Sequence, residues 1–166
     1  MTATLDAFAV WLRGTELSEA IRVLPWLWPV CEIIHFFGLS LLVGVTGFFD
    51  VRLLGFMRQV PLGAAWSLMP WARVGFALSA ITGLTFFIGA PDRYVNNVAF
   101  YGKVVFLLLA GLNAWFFETA YGAKVAASDA VGDTPRAYKA IAAVSIVSWL
   151  FVIYWGRMLP FVGNAF

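Results

Sequence analysis

The sequence predicts an all-α integral membrane protein, a four-helix bundle preceded by an amphipathic helical segment. Three observations carry that prediction. Hydrophobic residues fill 62% of the 166 positions and charged residues 12%, about half the charged share of an ordinary soluble domain. Four segments each hold about 20 or more mostly apolar residues, the length at which a helix crosses a hydrocarbon layer. Eight Trp, five Tyr and sixteen Phe suit aromatic belts at two membrane interfaces. A soluble chain with one very large core would still carry far more surface charge than this.

Residues 1–25 read as an amphipathic interfacial segment, separate from the bundle of residues 26–166. Leu5, Phe8, Ala9 and Leu12 fall at helical spacing, as do Leu17, Ala20, Ile21 and Leu24. Gly14 breaks the two helices, and Thr15 can cap the second with Glu16 and Glu19 in its first turn. Such helices lie flat on a membrane surface or cover a neighbouring subunit. Asp6, Arg13, Glu16, Glu19 and Arg22 punctuate this stretch, so it lacks the continuous apolar centre of a secretory leader.

The four spans are expected at about residues 26–49, 66–90, 98–121 and 137–159. Charge, Pro, Gly or Asn bounds each one: Asp50 and Arg52, then Pro61 and Gly63, then Pro91, Asp92, Asn96 and Asn97, then Asp129 to Pro135. Small residues recur every four positions at Ser40 and Gly44, at Gly75, Ser79 and Gly83, and at Ala110 and Ala114. That spacing lets helix backbones approach and fits an up-down-up-down bundle with short loops. No internal repeat suggests a duplicated transporter. The first and third loops with their flanks hold six of the eleven Lys and Arg, so the positive-inside rule leans towards non-cytoplasmic termini.

The net charge of +2 and the absence of a basic run exclude a dominant nucleic-acid surface. Cys31 is the only cysteine, which excludes an internal disulfide and a cysteine-only metal site. No glycine-rich phosphate loop is present. Ser145 and Ser148 have no histidine on their own helix, so a serine triad has little support.

The first span, WLWPVCEIIHFFGLSLLVGVTGFFD, carries Cys31, Glu32 and the sole histidine, His35. At about 100° per residue the three share one arc of a helix, and His35 lies about 13 Å along it. An acid and an imidazole at that depth call for a partner. One candidate is b-type haem for membrane electron transfer, with His35 as axial ligand and Glu32 bonding the ring nitrogen or a propionate. Bis-histidine ligation within one chain is excluded by count. A second candidate is copper or another transition metal held by His35 and the soft Cys31, completed from other helices or copies. The spacing Glu-x-x-His also resembles half of a di-iron site, which needs a second such motif. The plain alternative is that Glu32 and His35 only lock helices together, with no cofactor. Further along, Lys103 can snorkel or contact a propionate. Asn113 is deep in the third span and needs partners. Asp50 with Arg52 reads as an interfacial pair that ends the helix, or as a gate or partner contact, and Glu118 reads as a solvated helix end.

The runs WPVCEIIHFFGLSLLVG, FFDVRLLG and YGKVVFLLLAGLNAWFF resemble a family of four-span bacterial inner-membrane proteins of unassigned function. More distantly they are similar to the copper-resistance D and HemJ-type membrane proteins. Those place a histidine early in a span and a lysine at the opening of a later one. The resemblance covers about residues 26–119. It implies a bacterial inner-membrane location and haem b on His35, with Lys103 matching the family lysine. Asn113 stands where those relatives would carry a further histidine. The small extramembrane part also leads us to expect a homo-oligomer or a subunit of a larger membrane complex. Scaffold and small-molecule or ion conduit are the rival functions.

Overall fold

The computed structural model describes residues 2–162, and every regular element among them is helical. Two short helices come first, α1 (Thr2–Arg13) and α2 (Glu16–Val23). Thr15 caps α2, its hydroxyl accepting from Ser18 N at 3.3 Å. Leu24 is extended ahead of Pro25 and ends α2, because a proline ring disfavours helical geometry in the residue before it.

The first long helix is α3 (Leu27–Leu53). A short α4 (Leu62–Trp66) leads into α5 (Met69–Gly89). After α6 (Asp92–Val95) comes α7 (Val98–Phe117), capped by Asn97, which accepts from Ala99 N at 2.9 Å. α7 continues through a wider π-helical turn, Glu118–Gly122, into α8 (Ala123–Ala126). α9 (Arg136–Met158) follows Pro135. Four stretches are long and apolar enough to cross a membrane: Leu27–Leu53, Leu62–Gly89, Val98–Ala126 and Arg136–Met158.

The bundle is built as two pairs. α3 packs along α5, α7 packs along α9, and α3 against α9 joins the pairs. α5 and α7, consecutive spans, keep their backbones apart and meet through side chains, Phe87 of α5 stacking on Phe100 of α7 at 5.5 Å. The α3–α5 seam brings backbones together. A Cβ on Gly75 would stand 2.6 Å from Gly38 O and Leu42 N, so only glycine fits. On α5 the small residues Gly75, Ser79 and Gly83 face this seam as the spacing predicts. On α3 the expected pair, Ser40 and Gly44, does not. Both are exposed, and a Cβ on Gly44 would meet nothing within 4 Å. The seam uses Gly38 and Leu42 instead, two residues earlier and so turned by about 200°. α7 and α9 meet through Phe106 and Phe151, stacked at 4.4 Å, and through Trp155 lying on Gly102, where a Cβ would clash at 2.6 Å.

The two ends of the bundle are closed differently. At the end holding the α3 and α7 N-termini, α1 and α2 pack on this chain's own α5 and α6. The hydroxyl of Ser18 donates to Ile88 O at 2.8 Å, Ile21 fills the space over Gly89, and Asn96 donates to Asp6 at 2.6 Å. Arg13 pairs with Asp92. The outer faces of these helices still show Trp11, Leu17 and Val23 to the surroundings, as a helix lying at an interface would.

At the opposite end, loop 54–61 and loop 127–135 pair with each other. Gly132 N donates to Arg58 O at 2.8 Å, Gly63 N to Ser128 O at 2.9 Å, and the Thr134 hydroxyl to Leu53 O at 2.5 Å. Gly55 sits at φ +97°, a left-handed position that suits glycine. Beneath these loops lies an aromatic core in which Phe49, Trp66, Phe117, Tyr121 and Tyr138 interlock at 4.9–5.9 Å.

Asp50 and Arg52 correct an expectation. They were expected to pair at the interface and end the first helix. The helix instead runs on to Leu53, and both are buried, at 5% and 1% exposure. They do not pair. Arg52 turns to the loop, donating from Nε to Val60 O at 2.6 Å, while Asp50 turns into the bundle.

Candidate functional site

The five residues picked out from the sequence fall in three places. His35 lies in the α3–α5 seam, half-buried, with Nδ1 2.8 Å from the Thr82 hydroxyl. That hydroxyl also stands 2.7 Å from Leu78 O, one turn back. With its single proton on Leu78 O, it accepts from His35 Nδ1, and His35 Nε2 carries the free lone pair. Phe86 presents its ring edge-on to the imidazole at 5.6 Å, and a Cβ on Gly83 would touch His35 Cε1 at 3.6 Å. Cys31, one turn earlier, is buried at 8% exposure.

Glu32 points elsewhere. It is exposed and accepts from Trp28 Nε1 at 3.2 Å, the Trp28 ring itself packing on Phe86 of α5. Nearby at the bundle end, burial pushes the Tyr94 phenol above its usual pKa. Arg93 opposes that shift and the Glu32 charge adds to it. Lys103 lies at the same end as His35, running past Gly156, where a Cβ would stand 3.8 Å from its Nζ. Asn113 is ten residues further along α7, about 15 Å away from Lys103 by helical rise. It donates to Ile141 O at 3.2 Å, tying α7 to α9. Among the described residues no three of His, Cys, Asp and Glu gather as a metal site. A metal on Cys31 and His35 would need ligands from a second chain.

A separate opening lies in the centre of the bundle, towards the other end. A cavity of 270 Å³ is lined by α3, α5, α7 and α9 together with Trp66 of α4. Its walls are largely aromatic and aliphatic: Phe49 and Leu42, Phe76 and Met69, Phe117 and Leu107, Ile141 and Trp149. On one side it is walled by α5 and α7, whose backbones stay apart between the Phe87–Phe100 stack and the Arg73–Glu118 pair. Ala110, Gly111 and Ala114 edge that gap on α7. Near one end Arg73 of α5 and Glu118 of α7 bridge it at 2.5 Å, both side chains more than half exposed. Glu118 also begins the π-helical turn, a distortion frequent at functional sites.

Inside, the polar groups are few. Thr46 gives its hydroxyl proton back to Leu42 O at 2.8 Å. Asn113 uses its amide NH₂ on Ile141. Ser145 of α9 lines the same cavity. Asp50 Oδ2 is sealed from solvent and accepts no hydrogen bond from any described residue. Sequence reasoning missed Asp50 as a cavity residue because a charge followed by Arg52 reads as a helix end. The one sequence signal was its position on the same span as Thr46, one turn apart and so on the same face.

Comparison with protein-family models, with curated proteins and with solved structures finds no match to this chain.

Proposed function

We propose that this multi-pass membrane protein takes a small molecule from the bilayer into its central cavity. The observation that supports this reading is the cavity itself, walled by all four spans and bordered on one side by α5 and α7, whose backbones stay apart. Binding sites are concave and mostly apolar, with a few placed polar groups. Here those groups are Asp50, Asn113 and Ser145. Small-molecule handling was one of the functions expected from the sequence, though as a path through an oligomer and not inside one chain. Native mass spectrometry of the purified protein in lipid particles tests the reading. A small solute retained by the protein, and lost in Gly111→Leu, supports it. A protein that carries nothing above empty particles, and that takes up no added solute, overturns it.

A second reading is b-type haem on His35, serving membrane electron transfer. Two observations favour it: the free Nε2 of His35, and Lys103 at the same end of the bundle. Glu32 and Asn113, the other residues expected to hold the group, make their hydrogen bonds to Trp28 and to Ile141 O. A Soret band in the purified protein that disappears in His35→Ala is the result expected of this reading. A colourless protein that gains no band on adding haemin removes it.

A further inference from the structure

We propose that the central cavity selects a lipophilic organic cation, a protonated amine with an apolar body, and that Asp50 is the acceptor for its N–H group. This rests on the reading that the cavity holds a small molecule, and it names the class of that molecule.

Three features converge. Asp50 is 5% exposed, lines the cavity, and has its Oδ2 without a partner among the described residues. A buried carboxylate oxygen in that state calls for a donor. No Lys or Arg among the described residues forms an ion pair with it. Of the two arginines near it in the chain or on the cavity wall, Arg52 keeps one buried nitrogen, Nη1, without a partner, but neither pairs with Asp50. Arg73 bonds Glu118 at 2.5 Å, and Arg52 turns to Val60 O. A cationic ligand in the cavity would supply the counter-charge.

The surrounding rings suit a cation as well. Phe49, the residue before Asp50, forms a cluster with Trp66 and Phe117 at centroid distances of 5.4–5.9 Å, and Trp149 joins them on the cavity wall. Aromatic faces attract an ammonium group through the ring quadrupole. Asn113 adds a second acceptor, since its amide oxygen bonds no described residue while its NH₂ is engaged on Ile141. A volume of 270 Å³ takes a molecule on the order of ten non-hydrogen atoms, given about 30 Å³ for a water in the liquid.

The test is calorimetric titration of the full chain in detergent with 2-phenylethylamine and with its uncharged isostere, 2-phenylethanol. The unaltered protein is expected to bind the amine about tenfold or more tighter than the alcohol. Asp50→Asn should abolish that preference while leaving the alcohol where it was, a pattern that misfolding does not produce. Gly111→Leu, at a position where a Cβ meets nothing within 4 Å, should weaken both. Equal binding of amine and alcohol by the unaltered protein overturns the cationic class and leaves the cavity reading standing. Failure of both to bind, or binding that Gly111→Leu does not touch, overturns the cavity reading and this proposal with it.

Discussion

Asp50 and His35 show opposite ways for one helix to keep a polar side chain in apolar surroundings. His35 has a partner on the facing helix: its Nδ1 and the Thr82 hydroxyl, at 2.8 Å, satisfy each other. Thr82→Val leaves the imidazole N–H unmatched and should lower stability by about 1–3 kcal/mol, read from thermal unfolding in detergent. Asp50 has no such match for Oδ2. Its burial costs stability in the ligand-free protein, so Asp50→Asn should raise the unfolding temperature, by the equivalent of about 1 kcal/mol or more. A fall on that substitution would show that the carboxylate is structurally required. Outside the spans, Asp133 receives a hydrogen bond from Lys139 at 2.7 Å. That bond, with the Thr134 N–H and the charges of Lys139 and Arg58, holds its carboxyl below the ordinary 3.8. A group depressed in the folded state stabilises above its unfolded pKa and stops doing so as pH falls through the folded one. The contribution is therefore complete above pH 3.8 and lost progressively below it. Asp133→Asn should flatten that acid limb in a pH series of unfolding temperatures.

Among the elements, the α3–α5 pair depends most on particular side chains being absent. A Cβ on Gly75 meets backbone atoms at 2.6 Å, and backbone cannot rotate away as a side chain can. Gly75→Ala should force the helices apart and cost about 1–3 kcal/mol, whereas Gly44→Ala, facing open space, should be neutral or slightly stabilising through helix propensity. Unfolding of the two variants side by side checks the assignment of faces. Much at this scale was legible beforehand. Four apolar runs gave four spans, because length and hydropathy are properties of contiguous sequence. Thr15, Gly14 and Asn97 marked ends in the places they usually do. The face of α3 was not legible: Ser40–Gly44 and Gly38–Leu42 are both plausible seams, and only the partner helix decides. Nor was the cavity, since Asp50, Asn113 and Ser145 come from three helices and converge only after packing. The trio of Cys31, Glu32 and His35 was legible as a helical arc, but it divides between the inside and the outside of the bundle.

The whole molecule is two helix pairs closed at both ends and loosely joined along one side. Four crossings bring residues 2 and 162 to the same face, shown by Asn97, at the start of α7, donating to Leu159 O past the end of α9 at 2.9 Å. Reporter fusions before α1 and after α9 should therefore give the same sidedness, and an insertion at Gly132 the opposite one. Arg73 and Glu118 tie the loose side across exposed positions. Breaking that tie with Arg73→Met should change stability by no more than about 1 kcal/mol, yet should speed release of a bound solute, measured by stopped-flow displacement. An unchanged release rate would place the path elsewhere. For a solute that enters from the bilayer, as proposed, the concentration that governs occupancy is the one dissolved in the membrane. Each methylene added to a visiting solute enriches it in lipid about fourfold. A homologous series would thus look progressively tighter against the aqueous dose with no new contact made, and the apparent gain would vanish once the dose is expressed per lipid.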